Sequence, residues 1–404
     1  MPAKLLIVTQ HYRPDPSTTA AIMTEIADHL AKSREVLVLS GSRGSAGGTI
    51  APNGAEVLEL PNDMPAKAAL VKRGAGELIF ALRALGRVLR VARPGDVVLT
   101  VTAPFMLPYA VVTGAWLKGA RSALVMHDLY PDVLIMAGLL RAGSVVARLL
   151  RAANALMFHW LSAVITIGRD TERMLLNHRQ LGPEKVRFIP NWNTLSPRVR
   201  PVDATNPVFP RRSSQFVVGL SGNLGFTHDP AVVFEAARIL QEQTNIHFLL
   251  SGWGMGFETL KRLQAEVYLT NVTLLDRVAD AHLEQLLTAA DCWIIPYRKG
   301  VAGVSVPSRF YNLLAVGRPV IIVSEPQAEA AMMILENRIG WVVPPASPNE
   351  LARVIQTASK SPDPSVAERA VNAAKQYSLD RAMAGYVKVM DELFECLRPG
   401  EGSS

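Results

Sequence analysis

The chain runs through one pattern twice. Short apolar, β-branched runs alternate with stretches of helical periodicity up to residue 191, stop in a proline-rich segment, and resume at residue 216. In the first half "KLLIVTQ" (4–10), "EVLVLSG" (35–41), "VVLTVT" (97–102), "SALVMHD" (122–128), "AVITIG" (163–168) and "VRFIPN" (186–191) read as strands. The second half repeats this with "FVVGLSGN" (216–223), "IHFLLSG" (246–252), "VTLLD" (272–276), "CWIIPY" (292–297), "PVIIVS" (319–324) and "GWVVPP" (340–345). Uninterrupted apolar strands separated by helices predict parallel sheets covered on both faces. The interruption, "NWNTLSPRVRPVDATNPVFPRRSSQ" (191–215), predicts a linker. A length of 404 residues also exceeds what one core usually serves. The expected fold is therefore α/β, with two Rossmann-like doubly wound domains facing across a cleft. The expected boundaries are 1–195, a linker 196–215, a second domain 216–377, and a helix with tail over 378–404 packing back on the first domain.

Charge separates the halves. Residues 1–195 hold 22 Lys and Arg against 14 Asp and Glu, a net of +8, and the remainder holds 20 against 21, a net of −1. A basic first half calls for an anionic partner on that side. Nucleic acid is not expected, because no nucleic-acid motif and no basic-aromatic interleaving occurs. Two stretches fit a lipid surface better. "LVKRGAGELIFALRALGRVLRVARPGD" (70–96) sets Arg83, Arg87 and Arg90 at helical spacing among Leu, Ile, Phe and Val, and "LLRAGSVVARLLRAANALMFHWL" (139–161) is similar. Such helices suit an anionic membrane surface, although a core helix with a solvated stripe would look the same. Residues 97–117 carry no charge, yet Pro104, Pro108 and Gly114 interrupt them, so a buried strand, loop and helix is expected rather than a span. "MPAKLLIVTQHY" does not read as a signal peptide. The two cysteines, Cys292 and Cys396, build no disulfide framework, which favours a reducing, cytoplasmic setting.

In open α/β sheets ligands gather outside the carboxyl ends of the strands, so the loops there carry the candidate site. "GVSVPSRFYNLLAVGRPVI" (303–321) leads from small and rigid residues into a helical pattern. Pro307 suits a first helical turn, and Gly317 with Pro319 ends the helix. Free amides at Ser305, Val306 and Ser308, with the forked donor of Arg309, suit a phosphate. The plainer reading makes Ser305 an N-cap and Arg309 a solvated charge. "LSGNLGFTHDP" (220–230) offers Gly222 and Gly225 for close backbone approach, and Asn223 and His228 as donors to a phosphate or sugar. It is not a P-loop, since the Gly-Lys-Ser/Thr ending is absent. "SGWGMG" (251–256) adds Gly252 and Gly254, which tight packing would explain almost as well. In "HDLYPD" (127–132), His127 and Asp128 stand at a strand end, placed to contact a polar ligand or move a proton. They could equally cap a helix. No Asp-x-Asp and no metal-spaced cluster occurs, so no metal or other cofactor is expected.

Taken in order, "TQHYRPDPSTTAAIMTEIADHL", "HDLYPDVLIMAGLL", "SGNLGFTHD", "GWGMGFETLKRL", "ADCWIIPYRKGVAGVSVPSRFYNLLAVGRPV" and "GWVVPPASPNELARVI" resemble family-4-type retaining glycosyltransferases of the GT-B fold. The resemblance covers nearly the whole chain. It is greatest to the branch of exopolysaccharide, colanic-acid and O-antigen assembly. It implies sugar transfer from a nucleotide diphosphate donor to an acceptor hydroxyl, with retained configuration and without a metal. The Ser305, Val306 and Ser308 backbone and Arg309 would then hold the donor diphosphate. Arg277, Val278, Arg298 and Lys299 join them as donor-side candidates, and His127 falls at the donor-sugar contact.

The pattern departs in places. Two glutamates of the family read here Val304 and Asn312, of which Asn312 could still reach a ribose. The usual Arg and Lys at the phosphates read Asn223 and His228. A first glycine loop reads "YRPDPSTT" (12–19), with Tyr12, Asp15 and Ser17 as acceptor-side candidates. The expected protein extends a polyprenyl-diphosphate-linked saccharide, bound peripherally at the inner face of a bacterial plasma membrane. An epimerase of the same fold, or an inactive nucleotide-sugar-binding partner, would share these features.

Overall fold

The computed structural model describes residues 3–41, 49–50, 54–62, 70–136, 138–176, 181–203, 205–211 and 215–395. Cys396, the tail after it and residues 177–180 lie outside these. The chain divides into two compact units. The first holds Met1–Pro131, Arg141–Pro190 and Asp380–Ser404, and the second holds Asp132–Leu140 and Asn191–Leu379.

The first unit is built on β1 (Leu5–Thr9), β2 (Val36–Ser40), β3 (Thr49–Ile50), β4 (Glu56–Glu59), β5 (Val97–Val101), β6 (Arg121–Met126), β7 (Ala163–Thr166) and β8 (Val186–Phe188). They form one sheet in the order β3-β4-β2-β1-β5-β6-β7-β8, parallel except for the β3–β4 pair. Every residue of β1, β2 and β5 is buried, as strands covered on both faces must be. The uncharged stretch 97–117 resolves into β5 and the helix Leu107–Leu117. That helix is apolar all round because it packs between two others. A side chain at Gly114 would press on Leu85 and Val88 of the helix Leu70–Val91. On its other side Tyr109 bonds Asn154 at 2.7 Å in the helix Val145–Trp160.

The second unit is built on β9 (Phe216–Asn223), β10 (Ile246–Trp253), β11 (Val272–Leu275), β12 (Cys292–Pro296), β13 (Val320–Val323) and β14 (Gly340–Val343). All pairs are parallel, in the order β11-β10-β9-β12-β13-β14. Gly219 on β9 faces Trp293 on β12, and a Cβ there would lie 2.6 Å from the indole. The glycine is what lets a fully buried tryptophan lie flat on a central strand. Parallel pairing puts the carboxyl ends of all these strands, and the loops that follow, on one edge.

The expected linker differs from a free tether. Asn193 Nδ2 donates to Ala374 O and Tyr377 O at 2.8 and 2.9 Å. Arg200 is buried, paired with Glu284 at 2.6 Å, and Arg318 donates to its carbonyl at 2.9 Å. Residues 191–195, expected in the first domain, belong to the second unit because these bonds anchor them there, and residues 132–140 belong to it as well. In the first unit the helix Leu379–Glu395 pairs Asp391 with Arg34 at 2.9 Å and Glu392 with Arg187 at 2.8 Å.

Candidate active site

At the carboxyl edge of the second unit the two glycine loops lie on one another. β9 and β10 run in register to their last pair, Trp253 opposite Asn223. A Cβ on Gly252 would fall 2.4 Å from Gly222 O, and one on Gly254 would fall 2.5 Å from Asn223 Oδ1 and 3.0 Å from Leu224 O. Gly256 N donates to the same Leu224 carbonyl at 2.8 Å. Gly252 and Gly254 therefore serve loop-on-loop packing, which corrects their expected role in approaching a ligand. Gly225 differs, with nothing within 4 Å of its added Cβ, and so does Gly222, whose φ is +136°.

His228 forms an isolated bridge with Tyr297 and tilts its ring against that tyrosine at 5.2 Å. Its Nδ1 lies 3.0 Å from Thr227 Oγ1. Arg298, expected near the phosphates, instead spends Nε on His228 O at 2.8 Å and its backbone amide on Thr227 O at 2.9 Å. It clips two loops together. Lys299 beside it is exposed, and Asn223 is exposed too.

The loop from Val301 to Ser308 is pinned from below and open above. Val301, Val304 and Val306 are buried, and Val304 N closes a turn on Val301 O at 2.9 Å. The helix that follows spans Arg309–Ala315 with Ser308 as N-cap, so Ser305 is no cap and Pro307 precedes the first turn. Among the described residues the amides of Ser305, Val306 and Ser308 donate no hydrogen bond within the chain. Arg309 stands next to them, half-buried. Burial lowers its pKa, Asp280 opposes that and Arg277 adds to it, so the two arginines lie close enough to repel. Arg277 also stacks on Trp253 at 4.7 Å and reaches Asp280 at 3.4 Å. Val278, next to Arg277, is half-buried. Two guanidinium groups and three free amides thus collect at the ends of β10, β11 and β12. Such a group of donors has the chemistry to hold an anion, and Trp253, which reading for glycines overlooked, stands beside it.

Asn312 also has a structural task. It is buried, and its Oδ1 accepts from Thr194 N at 2.8 Å and Leu195 N at 3.2 Å, while Nδ2 donates to Thr194 Oγ1 at 3.1 Å. Its amide holds the 194–195 segment. Two of the acceptor-side candidates in the first unit are structural as well. Tyr12 is fully buried, and Ser17 is the N-cap of the helix Thr18–Leu30, accepting from Ala20 N at 3.3 Å. Asp15 accepts from Ser17 N at 2.8 Å and meets His11 Nδ1 at 2.7 Å. Burial would raise its pKa, but the His11 and Ser17 hydrogen bonds outweigh this and lower it.

His127 and Asp128 follow β6, and both their amides donate to Thr102 Oγ1, at 3.1 and 3.2 Å. Asp128 lines a small cavity of about 20 Å³ with Phe105, Tyr109, Tyr130 and Asn154. His127 Nε2 is buried with no partner. Burial pushes the pKa of His127 down to about 4, and burial with the Arg298 charge does the same for His228. Both imidazoles stay neutral in the fold across the range where an unfolded histidine takes up its proton. Their contribution to stability is therefore complete above pH 6.5 and lost as pH falls from there towards about 4. Melting temperature should drop across that window, and the double variant His127→Asn, His228→Asn should show a shallower drop. An unchanged slope would contradict the assignment.

Among the described residues no group of His, Cys, Asp and Glu could hold a metal ion, and no helix is long and apolar enough to cross a membrane.

Residues 17–192 match the family described as glycosyl transferase 4-like domain, and residues 203–377 match glycosyl transferases group 1. Two such domains in one chain make the protein a glycosyltransferase of the GT-B fold. Among characterised sequences it is 29% identical over 292 residues to the probable glycosyltransferase WbjE of Pseudomonas aeruginosa, covering 72% of each chain. It is 28% identical over 225 residues to the putative colanic acid biosynthesis glycosyl transferase WcaI of Escherichia coli, covering 54% of this chain and 55% of that one. The chain belongs to the family-4-type glycosyltransferases. Its fold is shared with sucrose-phosphate synthase of Thermosynechococcus elongatus, at a TM-score of 0.76 and 14% identity over 98% of this chain and all of that one. It is shared also with Anabaena Alr3699/HepE, solved with UDP and glucose, at 0.68 and 16% over 96% of this chain and all of that one.

Proposed function

We propose that this glycosyltransferase moves a sugar from a nucleotide diphosphate donor to a polyprenyl-diphosphate-linked saccharide in bacterial surface polysaccharide synthesis. The relationship to WcaI supports the polysaccharide, and the complex of HepE with UDP and glucose supports the donor class. The observation that carries the reading is the anion site: the free amides at Ser305, Val306 and Ser308 beside Arg309 and Arg277. As the glycosidic bond breaks, charge grows on the departing diphosphate, and fixed donors in a partly buried site stabilise it. Two guanidinium groups supply the positive charge, so the reaction proceeds without a divalent ion. Configuration is retained, with a phosphate oxygen of the leaving group accepting the proton of the acceptor hydroxyl. His127, neutral above pH 4 or so, and Asp128 position a sugar rather than act as a strong base. Transfer from UDP- or GDP-sugars to a lipid-linked acceptor in the presence of EDTA tests this reading. Release of a free epimerised sugar nucleotide, or dependence on magnesium, would refute it.

The first unit carries the lipid-facing surface. Val145, Leu149 and Leu156 recur along one exposed face of the helix Val145–Trp160. Leu78, Ile79 and Leu82 are exposed on the helix Leu70–Val91, beside exposed Arg83 and Arg90. Between these helices Trp116 stacks on Trp160 at 4.5 Å, and Trp116 itself is half exposed. Leucines, an aromatic pair and arginines on adjoining helices fit an anionic interface, on the inner face of the plasma membrane. Each Arg or Lys near such a surface contributes about 1 kcal/mol. Leu82→Glu with Leu149→Glu should therefore abolish sedimentation with phosphatidylglycerol vesicles. Arg83→Gln with Arg90→Gln should reduce it by about 30-fold. Sedimentation unaffected by either pair would rule this surface out.

A further inference from the structure

We propose that Glu325 determines which donor sugar the enzyme accepts, by taking a hydrogen bond from a hydroxyl of the transferred glycosyl group. This rests on the donor site described above. Glu325 follows β13, whose next residue, Ser324, is held by a bond from its amide to Val343 O at 2.9 Å. From there its Oε1 accepts from the amide of Gly300, in the loop after β12. That loop continues into the free amides of Ser305, Val306 and Ser308 and into Arg309. Gly300 is exposed, with φ at +88°, and follows β12 at the carboxyl edge of the sheet.

The second oxygen is the unusual one. Oε2 of Glu325 is buried and has no hydrogen-bond partner. A carboxylate oxygen taken from water without a donor is costly, and a structure keeps such a group where something else supplies the donor. Other carboxylates in the loops of this edge are already engaged: Asp276 pairs with Lys261 at 2.8 Å, and Asp280 with Arg277. Phosphate cannot be the partner of Glu325, because like charges repel. A sugar hydroxyl fits, being a neutral donor carried next to the diphosphate. One oxygen then fixes the loop and the other reads the sugar.

Calorimetry of the full chain with UDP, GDP, UDP-glucose, UDP-N-acetylglucosamine and GDP-mannose tests this. The wild-type protein should bind one of these sugar nucleotides more tightly than its parent nucleotide. Glu325→Gln keeps an acceptor for Gly300 and should lose roughly 10- to 100-fold for the sugar nucleotide, the scale of a hydrogen bond to a charged group, with the parent nucleotide within about twofold. Glu325→Ala should lose as much or more for the sugar nucleotide. Equal losses for nucleotide and sugar nucleotide in Glu325→Gln would show a purely structural residue and overturn the proposal. So would unchanged affinities, or a wild-type protein that gains nothing from the sugar. A wild-type protein that binds none of the five compounds fails earlier and refutes the donor site itself.

Discussion

Replacing Arg309 with alanine should lower affinity for a nucleoside diphosphate by about 100- to 10,000-fold and leave affinity for the bare nucleoside unchanged. The magnitude follows from two charge-assisted hydrogen bonds lost at a forked, partly buried donor, each worth about 1.5–3 kcal/mol. No carboxylate pairs with Arg309 among the described residues, and burial together with the Arg277 charge already disfavours its cation. Removing it costs the free protein little, so melting temperature should hold or rise while binding falls. Arg309→Lys should recover part of the affinity, since a point charge replaces a fork. Arg277→Ala should lose less than Arg309→Ala, because Arg277 is more exposed and part of its interaction goes to Trp253 and Asp280. Calorimetry with UDP or GDP against uridine or guanosine, on proteins of matched melting temperature, checks this. Losses of equal size for nucleoside and diphosphate would contradict a phosphate-holding role.

What could be read from the chain divides along a physical line. Hydrophobic period is a local property, so the main strands of both sheets and the paired α/β units were legible in apolar runs. β3 and β4 were not: β3 is a two-residue edge strand, and β4, "EVLE", is short and charged at both ends. The loop proposed to hold the donor diphosphate was legible as residue types, because Gly, Ser and Pro before a helix constrain the backbone directly. The exact start of its helix at Arg309 was not. Asn312 bonds Thr194 across 118 residues of chain. No local pattern carries such a contact, and the same holds for Gly300 meeting Glu325. Tyr12 and Ser17 show the converse error, in which a burial site and a helix cap present the same residue types as a ligand loop.

Gly254→Ala should destabilise the second unit by about 2–4 kcal/mol, and Gly225→Ala should change stability by less than about 0.5 kcal/mol. Gly254 holds φ at +94°, outside the left-handed region that side chains tolerate best. Its new Cβ would sit 2.5 Å from Asn223 Oδ1 and 3.0 Å from the Leu224 carbonyl. The asparagine amide can swing away. The carbonyl cannot, because it accepts the Gly256 amide at 2.8 Å and so couples the β9 loop to the helix Met255–Glu266. Strain at Gly254 is therefore passed to Asn223 and Trp253 together, and Trp253 is the face on which Arg277 stacks. Thermal melts should show Gly254→Ala lowered by several degrees, at roughly 2–4 °C per kcal/mol for a unit of this size. Gly225 has a negative φ and open space where its side chain would go, so its variant melts normally. If Gly225 faces the ligand, that variant should instead weaken UDP or GDP binding at unchanged stability. Two neighbouring glycines would then separate cleanly, one required by packing and one by approach to the ligand. A Gly254→Ala protein that melts like the wild type would show that the loops are not stacked as described.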